Sequence, residues 1–148
     1  MRLVASLLLC TTACSSQAPP KLASDTVLGV HVGMTRHELR KGFAPRGEGK
    51  WFELESVAGE TRLRWAATGP DATPTSLDVA IGEDGKVREL VFAIRTEDAR
   101  KLLIELGARA PSGVTRYTGP SGDVIVAPGL GTWTLRLITS AATTQNPA

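Results

Sequence analysis

Few residues in this chain have types and spacings that could do chemistry. His31 and His37 are the only histidines, and Glu38 adjoins the second. Metal sites use His, Cys and carboxylate ligands at short, regular spacings. Six residues across an extended segment and a helix start is not such a spacing, and the only cysteines, Cys10 and Cys14, lie far upstream. Two partly exposed side chains account for the histidines, so no metal and no cofactor is expected. Ser112 and Ser121 each precede a glycine, as APSG and GPSG. Neither stands in a G-x-S-x-G elbow, and both read as turn residues in Pro/Gly loops. Glu53 with Glu55 could mimic a paired-carboxylate site, but alternate outward positions on a surface strand explain them more simply. No Gly-rich loop opens a helix to cradle phosphate. Aromatic residues make up 5% and the net charge is +2, which gives nucleic acid neither a stacking series nor a basic field. The residues point to a protein that is not an enzyme.

One group remains as a binding candidate: Arg36, Arg40, Lys41, Arg46 and Lys50, offset by Glu38 and Glu48. Arg36 and Arg40 are four apart and share a helix face. They are the candidate partner-binding residues, toward anionic lipid, lipopolysaccharide or an acidic protein. A solvated helix face is the plainer account. Charge is otherwise even: residues 1–74 hold nine Lys/Arg and seven Asp/Glu, and residues 75–148 hold eight of each.

The first residues read as targeting, not structure. Arg2 supplies a positive start and Leu3 to Leu9 an apolar run, far short of the ~20 residues of a membrane-spanning helix. Thr11-Thr12-Ala13-Cys14 follows. A small residue before a cysteine at the end of such a run resembles the lipobox of bacterial lipoproteins. The resemblance implies cleavage before Cys14 and acylation of that residue, with Thr11 standing where the family usually has Leu. Ser15 after the cysteine implies outer-membrane sorting, facing the periplasm. The alternative is an ordinary secreted chain cut near Ala13. The rest of the chain has no cysteine, so the mature fold has no disulfide. Residues 1–13 are therefore expected as signal peptide, and 14–26 as acylated cysteine plus flexible tether. Residues 27–138 form a single domain, and 139–148 a disordered tail.

The elements that would position these groups follow from periodicity. Leu28 to Val32 reads as short and extended, and Gly33 as a bend. Thr35 and Glu38 form a capping box, with Met34 and Leu39 as a hydrophobic staple. Leu39 and Phe43 set a buried stripe on a helix of about two turns, which must pack on a sheet. Residues 51–57 and 61–66 alternate as a hairpin, with Phe52 and Leu54 opposite Glu53 and Glu55, and Leu63 and Trp65 inward. Its outer faces are expected to carry opposite charges. Residues 67–76 are a loop, and 77–81 with 87–94 a second hairpin. Thr96 is expected to cap a second helix whose Ala99, Leu102, Leu103 and Leu106 form a stripe, ended by Gly107. Three more strands follow. The fold expected is α+β: two short helices packed on one face of an antiparallel sheet, in the order α-β-β-β-β-α-β-β-β.

Gly33-Met34-Thr35…Glu38-Leu39 resembles the GMT-x-x-E-[VL] signature of SmpA/OmlA-type envelope lipoproteins, and is similar to β-lactamase-inhibitor-protein-like domains. The hairpin LDVAIGEDGKVREL resembles the strand–DG–strand of those families. The resemblance implies helices on an antiparallel sheet and an envelope protein partner. The function expected is a non-catalytic binding or scaffolding role at the membrane. The alternative is an inhibitor that inserts a hairpin loop, such as 67–76, into a hydrolase.

Overall fold

Alternation of apolar and polar residues folds this chain into a sheet, because period-two burial gives each strand one face toward a core. A computed structural model describes residues 18–109 and 111–140. The expected signal peptide, Cys14 and residues 141–148 of the expected 139–148 tail lie outside the described residues. The elements are α1 (Arg36–Gly42), β1 (Gly49–Val57), β2 (Glu60–Ala67), β3 (Ser76–Ile81), β4 (Val87–Arg95), α2 (Thr96–Glu105), β5 (Thr115–Thr118), β6 (Asp123–Ala127) and β7 (Thr132–Ile138). The strands form one antiparallel sheet in the order β1-β2-β3-β4-β7-β6-β5.

This corrects the expected α+β packing. Strand accounts for 45% of the described residues and helix for only 14%. The molecule is mostly a seven-stranded sheet, not a helix layer on a sheet. Helix length is the reason: α1 has seven residues and buries only Leu39, and α2 has ten. Elements so short cannot cover seven strands. Leu22, Val27, Val30 and Val32, from the irregular segment before α1, supply much of the cover. They share one core with Leu39, Leu103 and the inward sheet residues Leu77, Leu90, Phe92, Leu135 and Leu137.

The expected tether therefore ends earlier than Thr26. Thr118 N–H donates to the Pro20 carbonyl and Leu22 N–H to the Thr118 carbonyl, each at 2.8 Å. Asp25 is 4% exposed. Its Oδ2 accepts from Ser121 N–H at 2.6 Å and Gly122 N–H at 3.0 Å. Residues 20–26 thus form a strap across the β5–β6 turn. The strap then reverses at Val27–Val30, where both N–H groups bond across (2.9 and 3.1 Å) and Leu28 and Gly29 have positive φ. This is a tight turn of the kind that needs φ > 0 at both central residues. It replaces the extended Leu28–Val32 segment read from alternation.

The capping box at α1 is present: Glu38 N–H donates to Thr35 Oγ1 at 3.2 Å, and Thr35 N–H to Glu38 Oε1 at 2.9 Å. Hydrogen bonding from Thr35 to its carboxylate lowers the Glu38 pKa, the Thr35 backbone N–H first and the Thr35 side chain second. A carboxylate stabilised in the fold adds stability above its ordinary pKa and loses it as pH falls through the lowered value. Thr35→Ala is expected to cost ~1 kcal/mol. That is a fall of ~4 °C in melting temperature for a domain of this size. The deficit against wild type should shrink in acid, where Glu38 is neutral in both. Thermal melts at neutral and acidic pH check this, and no difference at either would mean that the box carries no stability.

Thr96 does not cap α2. Arg95 occupies the N-cap position without a side-chain cap, and Thr96 is the first helical residue. At the other end Gly107 (φ +89°) lets Ala108 N–H reach the Leu103 carbonyl and Gly107 N–H the Ile104 carbonyl. This paired closure is the Schellman type.

Strand β1 shows its other face from the one that grouped Phe52 with Leu54 against the charged pair. Trp51 pairs with Trp65, Phe52 with Arg64, and Leu54 with Arg62. Phe52 is 48% exposed on the outer face. The aromatics decide it. Phe43 packs edge-on against Trp51 (5.6 Å) and Trp65 (5.3 Å), so Trp51 takes the inward side and Glu53 follows it.

Candidate functional site

The inward side of β1 runs past the core at Glu53, and there it meets α1. Arg36 Nη2 lies 2.7 Å from Glu53 Oε1, with 45% and 60% of the side chains exposed. One turn on, the Arg40 guanidinium sits 5.7 Å from the Trp51 ring centroid. The two candidate binding residues are thus brought together along β1, but as struts between helix and strand. An exposed ion pair contributes ~0–1 kcal/mol and is screened by salt. Lys41, Arg46 and Lys50 stay exposed, without an ion pair among the described residues.

The other flagged groups are dispersed or occupied. His31 Nδ1–H donates to the Val32 carbonyl at 2.8 Å, and His37 is exposed. Their charges contribute only the smallest causes of the lowered Glu38 pKa. Among the described residues, no three His, Cys, Asp or Glu side chains gather where a metal could sit. Ser121 presents its N–H, not its hydroxyl, to Asp25. Ser112 is exposed at a groove rim, and Glu55 is exposed on β1. An open cleft of about 570 Å³ between the two hairpin turns is lined by Glu60, Arg62, Glu83, Asp84 and Arg88. It holds none of the flagged residues and mixes charges of both signs.

Loop 68–75 is exposed over residues 68–71 and buried over 72–74. Ala72 and Thr73 are each 3% exposed. Arg46 and Thr73 exchange backbone hydrogen bonds at 2.8 and 2.9 Å. Thr73 Oγ1 donates to Asp98 Oδ2 at 2.8 Å, and Arg95 reaches Asp71 at 3.2 Å. The loop is stitched to α1's exit and α2's first turn.

The surface that sequence reading missed is the outer face of the sheet. Three ion pairs cross it: Arg64–Asp78 at 2.6 Å, Arg116–Asp123 at 2.9 Å, and Arg136–Glu89. On the same face lie Val91 and Ile125 and, on the edge strand β1, Phe52 and Leu54, half-buried or exposed. Leu54, Arg62, Arg64, Asp78, Ala80 and Val91 line a shallow hollow of about 150 Å³ there. Charges paired in fixed positions around apolar side chains can recognise a partner surface by shape and sign. The signal was present as alternation, but alternation does not say which face of an edge strand is outward.

Comparison of the chain with family models, with curated proteins and with solved structures finds no match.

Proposed function

We propose that this protein is a lipid-anchored lipoprotein of the bacterial cell envelope, held at the outer membrane through acyl chains on Cys14. Its work there is to bind another envelope component without catalysis. The observation that carries the binding role is the outer sheet face, open among the described residues, with Phe52, Leu54, Val91 and Ile125 beside three cross-strand ion pairs. The fate of the reactive groups supports the non-catalytic role. Glu38 closes a helix cap, Glu53 pairs with Arg36, and the Ser121 loop is fastened through its backbone. The likeness of Gly33-Met34-Thr35…Glu38-Leu39 to SmpA/OmlA-type lipoproteins belongs to the same reading. Its residues also have a local reason, since they start α1. The inhibitor alternative would use an inserting hairpin loop such as 67–76, whose residues 72–74 are buried against the domain.

The test is a photo-reactive amino acid placed at Phe52 or Val91 in living cells, with Glu97 as the control position. The expected result is a discrete crosslinked adduct from the two sheet positions and none from Glu97. Equal labelling at all three, or none at the sheet positions, would reject this face as the binding surface.

A further inference from the structure

The strap settles the corner of the domain from which the chain runs toward Cys14. Lys21 bridges to Thr118 of β5 in parallel, and Leu22 is buried beside it. Six residue steps separate Cys14 from Pro20, so the two can be at most ~21 Å apart at 3.3–3.6 Å per residue. Strand β1 lies at the opposite edge of the seven-stranded sheet. Six inter-strand spacings place it ~29 Å from β5. Cys14 can therefore sit beneath the β5 corner and not beneath β1.

That corner has the composition to meet a headgroup layer. A groove of about 480 Å³ is lined there by Pro20, Lys21, Arg109, Pro111, Ser112 and Tyr117. Tyr117 closes its floor, buried and donating to the Arg109 carbonyl at 3.1 Å. Lys21 and Arg109 are exposed and, among the described residues, have no carboxylate partner. Val114, 75% exposed, adjoins the groove-lining Thr115. Cations with apolar stems beside an exposed apolar side chain suit an anionic interface. A short tether keeps them at high local concentration near it.

Resting on acylation of Cys14, we propose that this corner docks on the phospholipid headgroups of the anchoring membrane. Lys21 and Arg109 engage lipid phosphates, and the β1 edge of the sheet is presented away from the bilayer. The domain is oriented, not loosely leashed.

The mature chain has no cysteine besides Cys14, so a single added cysteine can carry an environment-sensitive fluorophore. Acylated full-length protein is reconstituted into phosphatidylethanolamine–phosphatidylglycerol vesicles with the probe at Ser112→Cys or at Ser56→Cys. Headgroup spin-labelled lipid is expected to quench the Ser112 probe several-fold more than the Ser56 probe. Lys21→Glu with Arg109→Glu should abolish that difference, while the protein still floats with the vesicles and melts as wild type does. Equal quenching at both sites, or a difference untouched by the double variant, overturns the docking. An excess at Ser112 that appears only after a cell extract is added assigns the corner to a protein and also overturns it. Mass spectrometry of the N-terminal peptide separates the two readings. A chain without acyl mass on Cys14 fails the anchoring and the docking together, whereas an acylated chain with equal quenching fails the docking alone.

Discussion

Asp25→Ala is expected to lower the melting temperature of the mature chain by about 10 °C, from a loss of about 3 kcal/mol. The carboxylate is 4% exposed and accepts two backbone bonds, from Ser121 and Gly122. Hydrogen bonds to a charged group contribute ~1.5–3 kcal/mol each, and a buried donor left unpaired costs ~1–3 kcal/mol. The substitution removes the acceptor and leaves the Gly122 N–H, which is buried, with nothing to meet. The site has no slack to rearrange: a Cβ at Gly119 would lie 2.6 Å from the Asp25 Cβ, and one at Gly122 would collide with the Ile138 carbonyl. Gly119 and Gly122 are therefore glycines because the strap and β7 pass so close. Hydrogen exchange of the Leu22, Ser121 and Gly122 amides should quicken together in the variant, since one carboxylate ties both segments. Ser24→Ala, which removes only an exposed bond to the Thr26 N–H, is the control and should stay within ~2 °C, as surface substitutions do. A melting temperature for Asp25→Ala equal to that of the control would show that the strap contributes no stability.

Cys14→Ser is expected to move the protein almost completely from the membrane fraction to the soluble fraction. Acyl chains bind a bilayer through ~0.8 kcal/mol per buried CH₂, and more than one chain is needed for a stable hold. No helix of the described residues is long and apolar enough to cross a membrane. Fractionation of cells expressing the two forms checks it, with metabolic labelling by a fatty acid as the second readout. Unchanged partitioning of an unlabelled Cys14→Ser chain would transfer the anchoring to another part of the molecule. The corner cations Lys21 and Arg109 alone are too few to hold it, at about 1 kcal/mol per residue near an anionic surface.

Parts of this molecule are legible in order along the chain because their causes are local. The Thr35–Glu38 capping box, the Gly107 helix end and the Leu77–Ile94 hairpin depend on residues within a few positions of each other, and the structure contains all three. The candidate site was legible only as a list of residue types. Arg36 and Arg40 share a helix face, as their spacing requires, but what that face meets is Glu53 and Trp51 on a strand more than ten residues away. Thr96 illustrates the opposite failure. A good capping residue one position from the helix start is overruled when Arg95, the β4 terminus, is held by Asp71 and Asp98.

By itself the sequence determined the alternation that makes strands, the stripe that makes α2, and the lack of any cysteine after Cys14. Each follows from periodicity, composition or a few adjacent residues. Only the tertiary structure decided that the helices are too short to form a layer. It also decided that residues 20–32 fold back as strap and cover, that Trp51 and not Phe52 faces inward, and that Glu38 and Glu53 are tied to Thr35 and Arg36. Those outcomes depend on contacts between distant segments. A strand offers two faces of similar quality, and the face that turns inward is chosen by what packs against it: here Phe43 against Trp51 and Trp65, and Asp25 against a turn nearly a hundred residues downstream.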